Sequence, residues 1–322
     1  MPELPEVETV RRGLAELLPG RVVKKATVFD SPKSFPNTPA DVEQFLYGAH
    51  VTAVRRRAKV LMIDLDSCYS LVVHLKMTGQ LVFRSCYPAM YRRKKSGRAC
   101  HRDPDCFPMI LEGDKVSNFA GGHPNDSLVG ELPDRSTRVQ IDFADGSQLF
   151  FNDQRKFGWM KLLPTAEVQN LPFMQKVGPE PLDSATRAED FIARIRRRQN
   201  SMIKPAFLDQ SVIAGVGNIY ADEALWAARI HPQTRVRNVT DEQLNTLFIE
   251  LRKILQLSID QGGSTDRNYV DAQGQKGNYL AFANVFRREG QACRRHPDQD
   301  IIKLKVAGRG THICPACQVE IK

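Results

Sequence analysis

The sequence predicts an α+β protein, and three features of its 322 residues carry that prediction. Apolar residues alternate with polar ones between about 22 and 163, as in half-buried strands. From 165 the spacing becomes helical, and two close pairs of Cys and His residues stand near the C-terminus.

After Pro5, the opening "MPELPEVETVRRGL" places Val7, Val10, Leu14, Leu17 and Leu18 near helical spacing, with Glu6 and Glu8 in the first turn. Leu18-Pro19-Gly20 ends the pattern. A helix therefore starts almost at the first residue, where most chains fray. Strands follow in "VLMIDLD", "LVVHL" and "TRVQIDFADGSQLFFND", with Asp145-Gly146 as a hairpin turn. This half reads as a β-sandwich or barrel carrying a terminal helix. Residues 86–131 break the rhythm with a polar, Gly- and Pro-bearing stretch, which we treat as an inserted loop.

Helical patterns continue in "ATRAEDFIARIRRRQ", "MIKPAFLDQ", "NIYADEALWAARI" and "TDEQLNTLFIELRKILQLSIDQ". One helix ends near Gln210, Gly215 and Gly217 supply turns, and Asn218 opens the next helix, so backbone N–H groups converge as at a phosphate site. Glycine between helices is also an ordinary C-cap, and that reading stays open here. "QGGSTDRNYVDAQGQKGNY" is a Gly-rich connector, and 283–322 is a short basic module.

Lys and Arg total 46 against 37 Asp and Glu, a net charge of +9. A polyanionic partner such as nucleic acid suits that excess better than a membrane role, although a solvated basic face also explains it. No apolar run has the length of a membrane span, and the start is not a signal peptide, so an intracellular protein is expected. The seven cysteines do not form a disulfide framework. Instead Cys293, His296, Cys314 and Cys317 have the spacing of a closed tetrahedral zinc site, one structural ion being expected and no organic cofactor. Two unrelated thiol pairs are the alternative. Arg309, in "AGRGTH" between the ligand pairs, is presented on a tight glycine turn.

"PELPEVETVRRGL", "RRAKVLMIDL", "HLKMTGQL", "NDQRKFG", "VGPEPL", "LDQSVIAGVGNIYADEAL", "GGSTDRNYV" and "GRGTHICPACQ" together resemble formamidopyrimidine-DNA glycosylase. The match covers nearly the whole chain apart from 86–131. It implies an N-terminal catalytic β-sandwich domain at 1–164, a helix-two-turn-helix DNA-binding domain at 165–282 and a zinc finger at 283–322. The resemblance also implies a monomeric base-excision repair enzyme in the bacterial cytoplasm, associated with the nucleoid. Its substrate would be double-stranded DNA containing 8-oxoguanine, formamidopyrimidines or abasic sites.

Under the resemblance, Pro2 with Met1 removed is the amine nucleophile, Glu3 the acid at the sugar ring oxygen, Lys59 a participant in β-elimination and Arg309 in δ-elimination. Read without it, Lys59 in an alternating strand is a solvent-facing position. Glu6 belongs to the family pattern in an orienting role, while Glu6 and Glu8 are equally well read as first-turn helix acids. Met77, Arg155 and Phe157 match the family's void-filling residues, used when the damaged nucleotide is extruded. Singly, Met77 and Phe157 read as core side chains. Lys204 and Asn218 match phosphate contacts, and 262–278 matches the loop over the flipped purine.

Three departures from the family pattern stand out. His296 replaces the second zinc cysteine, and imidazole is a good ligand. Arg135-Ser136-Thr137-Arg138-Val139 replaces a His-bearing phosphate-binding stretch, leaving Ser136 and Arg138 as the DNA contacts there. Gly274-Gln275-Lys276-Gly277 displaces the usual lysine by one place. In the insertion, Cys86, Cys100, His101, Cys106 and His123 allow a second metal site, with incidental thiols the plainer reading, and Arg92-Arg93-Lys94-Lys95 could extend the DNA footprint. Two other functions compete. An endonuclease VIII-like glycosylase for oxidised pyrimidines more often begins Pro-Glu-Gly-Pro-Glu, against which Leu4 argues. A non-catalytic zinc-dependent damaged-DNA-binding protein has no need of Pro2, Glu3, Lys59 and Arg309 together.

Overall fold

The computed structural model describes residues 2–85, 119–122, 131–264 and 278–321. The first half comprises α1 (Leu4–Leu17), β1 (Val23–Val28), α2 (Pro39–Phe45), β2 (Val51–Arg57), β3 (Val60–Leu65), β4 (Tyr69–His74), β5 (Gly79–Arg84), β6 (Phe119–Gly122), β7 (Thr137–Phe143), β8 (Gln148–Asp153) and β9 (Trp159–Pro164). The second comprises α3 (Pro172–Lys176), α4 (Ala188–Arg196), α5 (Ile203–Phe207), α6 (Asn218–Ala227), α7 (Asp241–Asp260), α8 (Tyr279–Phe282), β10 (Ile302–Val306) and β11 (Arg309–Ile313).

The strands of the first half form two antiparallel sheets, β1-β7-β8-β5-β6 and β2-β3-β4-β9. Their facing side chains make one core: Leu61, Ile63, Leu71, Val73 and Met160 from one sheet meet Leu81, Phe83, Val139, Ile141 and Phe151 from the other. Alternation places Val60, Met62 and Val72 on the opposite face, yet they too are buried, beneath Val168, Phe173 and Met174. That second cover explains why β3 reads as a nearly unbroken apolar run. The turn at Gly146, with φ 83°, joins β7 to β8 as expected.

Two expectations need correction. Residues 86–131 are not one inserted loop, because Phe119–Gly122 is strand β6, pairing Phe83 with Phe119 and Gln80 with Gly122 on β5. The sequence signal was Phe119-Ala120, too short to show a period. Helix α2 was also missed inside the strand-rich half, although Thr38 caps it by accepting the Asp41 N–H at 3.1 Å and Pro39 opens it. Cys86, Cys100, His101, Cys106, His123, Arg92-Arg93-Lys94-Lys95 and Gly274-Gln275-Lys276-Gly277 lie outside the described residues.

In the second half, α7 carries Leu244, Leu247, Phe248, Leu251, Ile254 and Leu255 at helical spacing into a core with α4, α5 and α6. Thr240 and Gln243 close its N-terminus reciprocally, at 3.2 and 2.9 Å. Helix α6 is buried on nearly every side, including Asp222 and Glu223, so its acids must be partnered inside the protein. Glu223 accepts the N–H groups of Asn284, Val285 and Phe286 at 2.8 to 2.9 Å, tying the C-terminal module to this helix. Among the described residues no helix is long and apolar enough to cross a membrane.

Helix α1 joins the two cores. Val7, Val10 and Leu14 lie in the sandwich core, whereas Leu4, one turn earlier, lies in the helical core. Gly13 on this helix faces the buried Phe119 ring so closely that a Cβ there would clash with it. Gly13→Val is expected to lose about 1–3 kcal/mol through overpacking, seen as a lower urea midpoint with unchanged slope. An unaltered midpoint would show that β6 yields freely.

Candidate active site

The N-terminus is seated by a glycine turn. The Leu4 N–H donates to Gly215 O at 3.0 Å. A Cβ on Gly215, whose φ is 80°, would press on the Leu4 side chain, and one on Gly217 would fall on the Glu3 carboxyl. Glu3 Oε1 accepts the Ile219 N–H at 3.1 Å, in the first turn of α6, where the helix favours negative charge. Glu3 Oε2 is buried, with no hydrogen-bond partner among the described residues. Burial dominates and pushes the Glu3 pKa up to about 7, against the pull of Lys59 and the Ile219 N–H. A carboxyl in that state holds a proton near neutrality and can deliver it.

Glu6 is saturated. It accepts from the Glu3 N–H at 2.8 Å, the Tyr220 hydroxyl at 2.5 Å, and the Ser264 N–H and hydroxyl at 2.9 and 2.7 Å. It is therefore more than a first-turn helix acid: it ties the terminus to α6 and to the end of the α7 connection. Glu8, by contrast, pairs with Arg11 and Arg12 on its own helix and with Arg56 of β2.

Lys59 does not face solvent, correcting the strand-based expectation. It lies in the β2–β3 turn, 7% exposed, and its Nζ donates to Val216 O at 2.9 Å. Burial lowers its pKa, with Glu3 and Glu6 opposing the shift. The turn needs support because Ala58 has φ 52°. Glu180, in "VGPEPL", provides it by accepting the Ala58 N–H at 2.5 Å and pairing with Arg56 and Arg57 at 2.9 and 3.1 Å. Gln210 braces the other wall, donating to Val216 O at 2.8 Å and accepting the Gly215 N–H at 2.9 Å.

Pro2, Glu3, Lys59, Met77, Asn218 and Arg309 line one cleft of about 670 Å³ between the two halves. His74 lines it as well, and burial drives its pKa down to about 3, leaving a neutral ring. It was missed in the sequence, although it stands in "HLKMTGQL". At the rim Met77 and Phe157 are 40% and 55% exposed, so neither is the core residue its type suggests. The Arg155 guanidinium joins them, 3.1 Å from Met77 Sδ and 4.9 Å over the Phe157 ring. Asp153, also missed, shapes this loop by accepting from Thr78, the Arg155 N–H at 3.2 Å and the Gly158 N–H at 2.6 Å.

Three expected DNA contacts are placed differently. Lys204 is 1% exposed, its ammonium held by Asp222 at 2.6 Å, Thr311 Oγ1 at 2.7 Å and Gly310 O at 3.3 Å. Arg138 donates to the carbonyls of Asp153 and Arg135 at 2.8 and 2.9 Å, and Ser136 donates to Asp134 at 2.7 Å, both residues being buried. These side chains spend their polar groups on the protein. Residue type and motif position cannot reveal that.

Near the C-terminus one ligand atom from each of Cys293, His296, Cys314 and Cys317 lies within 4.8 Å of the others. Cys293 Sγ and Cys317 Sγ are 3.7 Å apart, and His296 Nδ1 is 3.1 Å from Cys317 Sγ. Sulfurs bound at about 2.3 Å in a tetrahedron lie roughly 3.8 Å apart, so the residues fit such a metal ion. Arg295, between two of these ligands, stacks 3.8 Å from the Trp226 ring centre and donates to Trp226 O and Ala227 O at 2.9 and 3.1 Å, capping the end of α6.

Comparison with known proteins finds the Formamidopyrimidine-DNA glycosylase N-terminal domain profile over residues 1–160 and the Formamidopyrimidine-DNA glycosylase H2TH domain profile over 177–269. The chain is 37% identical to the formamidopyrimidine-DNA glycosylase of Pelotomaculum thermopropionicum, covering 99% of both, and 38% identical to that of Pediococcus pentosaceus, again 99% of both. Among solved structures it resembles a Lactococcus lactis Fpg mutant in complex with Fapy-dG-containing DNA (TM-score 0.79, 29% identity, 99% of this chain and 100% of the other). A Lactococcus lactis Fpg bound to abasic-site DNA matches with TM-score 0.78 at 29% identity over the same shares.

Because the folded pKa of Glu3 is raised from 4.5 to about 7, the native state binds the proton more tightly than the unfolded chain between those values. Stability therefore falls as pH rises through that window and is level above it. Glu3→Gln is expected to exceed wild type in stability at pH 8 by on the order of 3 kcal/mol, the gap closing towards pH 4.5, as measured by chemical denaturation across pH. At the C-terminus, His296→Ala is expected to weaken metal retention against a chromophoric chelator by more than the roughly 10–100-fold typical of losing a group that only supports a ligand, with His296→Cys restoring it. Equal retention by wild type and His296→Ala would remove His296 from the ligand set.

Proposed function

The chain belongs to the formamidopyrimidine-DNA glycosylase family, and from that membership we propose that its cleft excises oxidised purines through a Schiff base at Pro2. It is a DNA glycosylase with abasic-site lyase activity, and its partner is damaged DNA. The substrates in this reading are 8-oxoguanine and formamidopyrimidines in duplex DNA, and the strand is then nicked by β,δ-elimination.

The observation that carries the mechanism is Glu3 Oε2, buried in the same cleft as Pro2 and Lys59 with no partner among the described residues. Once Met1 is removed, Pro2 bears a secondary amine, and its lone pair attacks C1′ as the base departs. Glu3 protonates or polarises the ring oxygen as the sugar opens, leaving an iminium ion. Lys59, whose ammonium is destabilised by burial, takes part in the proton transfers of β-elimination. Arg309, on the hairpin turn after Gly308, grips the phosphate whose departure completes δ-elimination.

Met77, Arg155 and Phe157 fill the space left by the extruded nucleotide. Asn218 meets the backbone, and Ser136, Arg138 and Lys204 act through the loops and hairpin they brace. The domain division is 1–164, 165–282 and 283–322. One zinc ion held by Cys293, His296, Cys314 and Cys317 would stabilise the hairpin's shape rather than take part in bond breaking. The enzyme acts as a monomer in the cytoplasm.

Borohydride trapping on an abasic duplex tests the nucleophile. Protein with a native Pro2 terminus is expected to form a covalent adduct, while Pro2→Thr or a retained N-terminal extension abolishes it with DNA binding nearly intact. Trapping at an unchanged rate in Pro2→Thr would refute the assignment. Faster cutting of thymine glycol than of 8-oxoguanine would overturn the substrate class.

A further inference from the structure

Arg309 projects from a hairpin turn built on Ala307 and Gly308, both with positive φ, and its strand must be held from behind if the guanidinium is to stay at the cleft. The residues that follow it, 310–312, are gripped by the helical domain at every step. Asn218 Nδ2 donates to Gly310 O at 3.0 Å, and the Lys204 ammonium donates to Gly310 O and Thr311 Oγ1. The His312 N–H donates to Asp222 Oδ2 at 3.0 Å, with the His312 ring 3.3 Å from the same oxygen. The other carboxylate oxygen of Asp222 receives the Lys204 ammonium at 2.6 Å. Asp222 and Lys204 are each 1% exposed, so the pair is sealed from water.

We propose that Asp222 is the positioning residue for Arg309: its buried carboxylate fixes both Lys204 and the His312 main chain, and so holds residues 310–312 and the Arg309 guanidinium at the cleft. Asp222 touches no reacting atom. Asn218 and Asp222, four residues apart on α6, share one face, so the helix that receives Glu3 at its N-terminus also sets the hairpin. Lys204 gains a reason for its burial: it is the counter-charge that lets an unhydrated carboxylate hold a strand.

This inference rests on the reading of Arg309 as the residue of δ-elimination. It is tested by the ratio of δ- to β-elimination product on an abasic duplex, alongside the borohydride trapping rate, in the full-length metal-loaded protein. Asp222→Asn, nearly isosteric, is expected to lower the δ share by on the order of tenfold while trapping stays within about twofold of wild type. In an Arg309→Ala background it is expected to lower that share no further. Thr311→Val leaves the buried charges in place but removes both one Lys204 acceptor and the 3.2 Å hydrogen bond that the Thr311 hydroxyl donates to Arg309 O, so a smaller loss in the same direction is expected, and Thr311→Ser, which keeps both bonds, is expected to restore the wild-type share. That variant decides the matter if Asp222→Asn does not fold.

An unchanged δ share in Asp222→Asn and Thr311→Val, with Arg309→Ala showing the loss, would overturn the positioning role alone. Parallel loss of trapping and δ product in the two variants would also overturn it, as general damage. An unchanged share in Arg309→Ala would overturn the reading of Arg309 and the inference with it.

Discussion

The site depends on a steric constraint: two glycines must leave room for the chain's own beginning. Gly215 and Gly217 present backbone where other residues would present Cβ atoms, and Glu3 and Leu4 occupy that space. The fit produces three results at once. It fastens the terminus through the Leu4 N–H, buries the Glu3 carboxyl and aims the first turn of α6 at that carboxyl. Lys59 and Gln210 are placed relative to this seat. Lys59 reaches the same turn through Val216 O, and Gln210 holds that carbonyl from behind.

Burial then sets the chemistry. A carboxyl at a helix N-terminus ordinarily ionises readily, but desolvation outweighs the helix and Lys59, and the acid keeps its proton near neutrality. The same burial works against the Lys59 ammonium and leaves His74 neutral. An acid and a base are brought close, and burial disfavours the charged form of each. That arrangement costs folding energy and favours proton transfer, the usual tension between stability and activity.

How much of this was legible in the sequence depended on whether the signal was local. Helix α1, the Gly146 hairpin, α6 starting at Asn218 and the metal-ligand spacing all follow from residues close together in the chain. The resemblance supplied the cleft residues in advance, since motif positions carry chemistry that periodicity cannot. What escaped was tertiary. Lys59 reads as exposed until the second domain covers it, and Lys204 and Arg138 read as free cations until Asp222 and the carbonyls of Asp153 and Arg135 are seen beside them. Strand β6 was hidden because four residues are too few to establish a period.

The sharing of α1 between two cores bears on how the molecule comes apart. Leu4 belongs to the helical core and Val7 to the sandwich, with a single turn of helix between them. Glu8 and Glu180 add a bridge through Arg56 at the same seam. Neither half can melt without stripping apolar partners from the other, so the stabilities of the two domains are coupled through α1. An injury deep in the helical half therefore reaches the first three residues directly: it lowers the population of molecules whose terminus is in place.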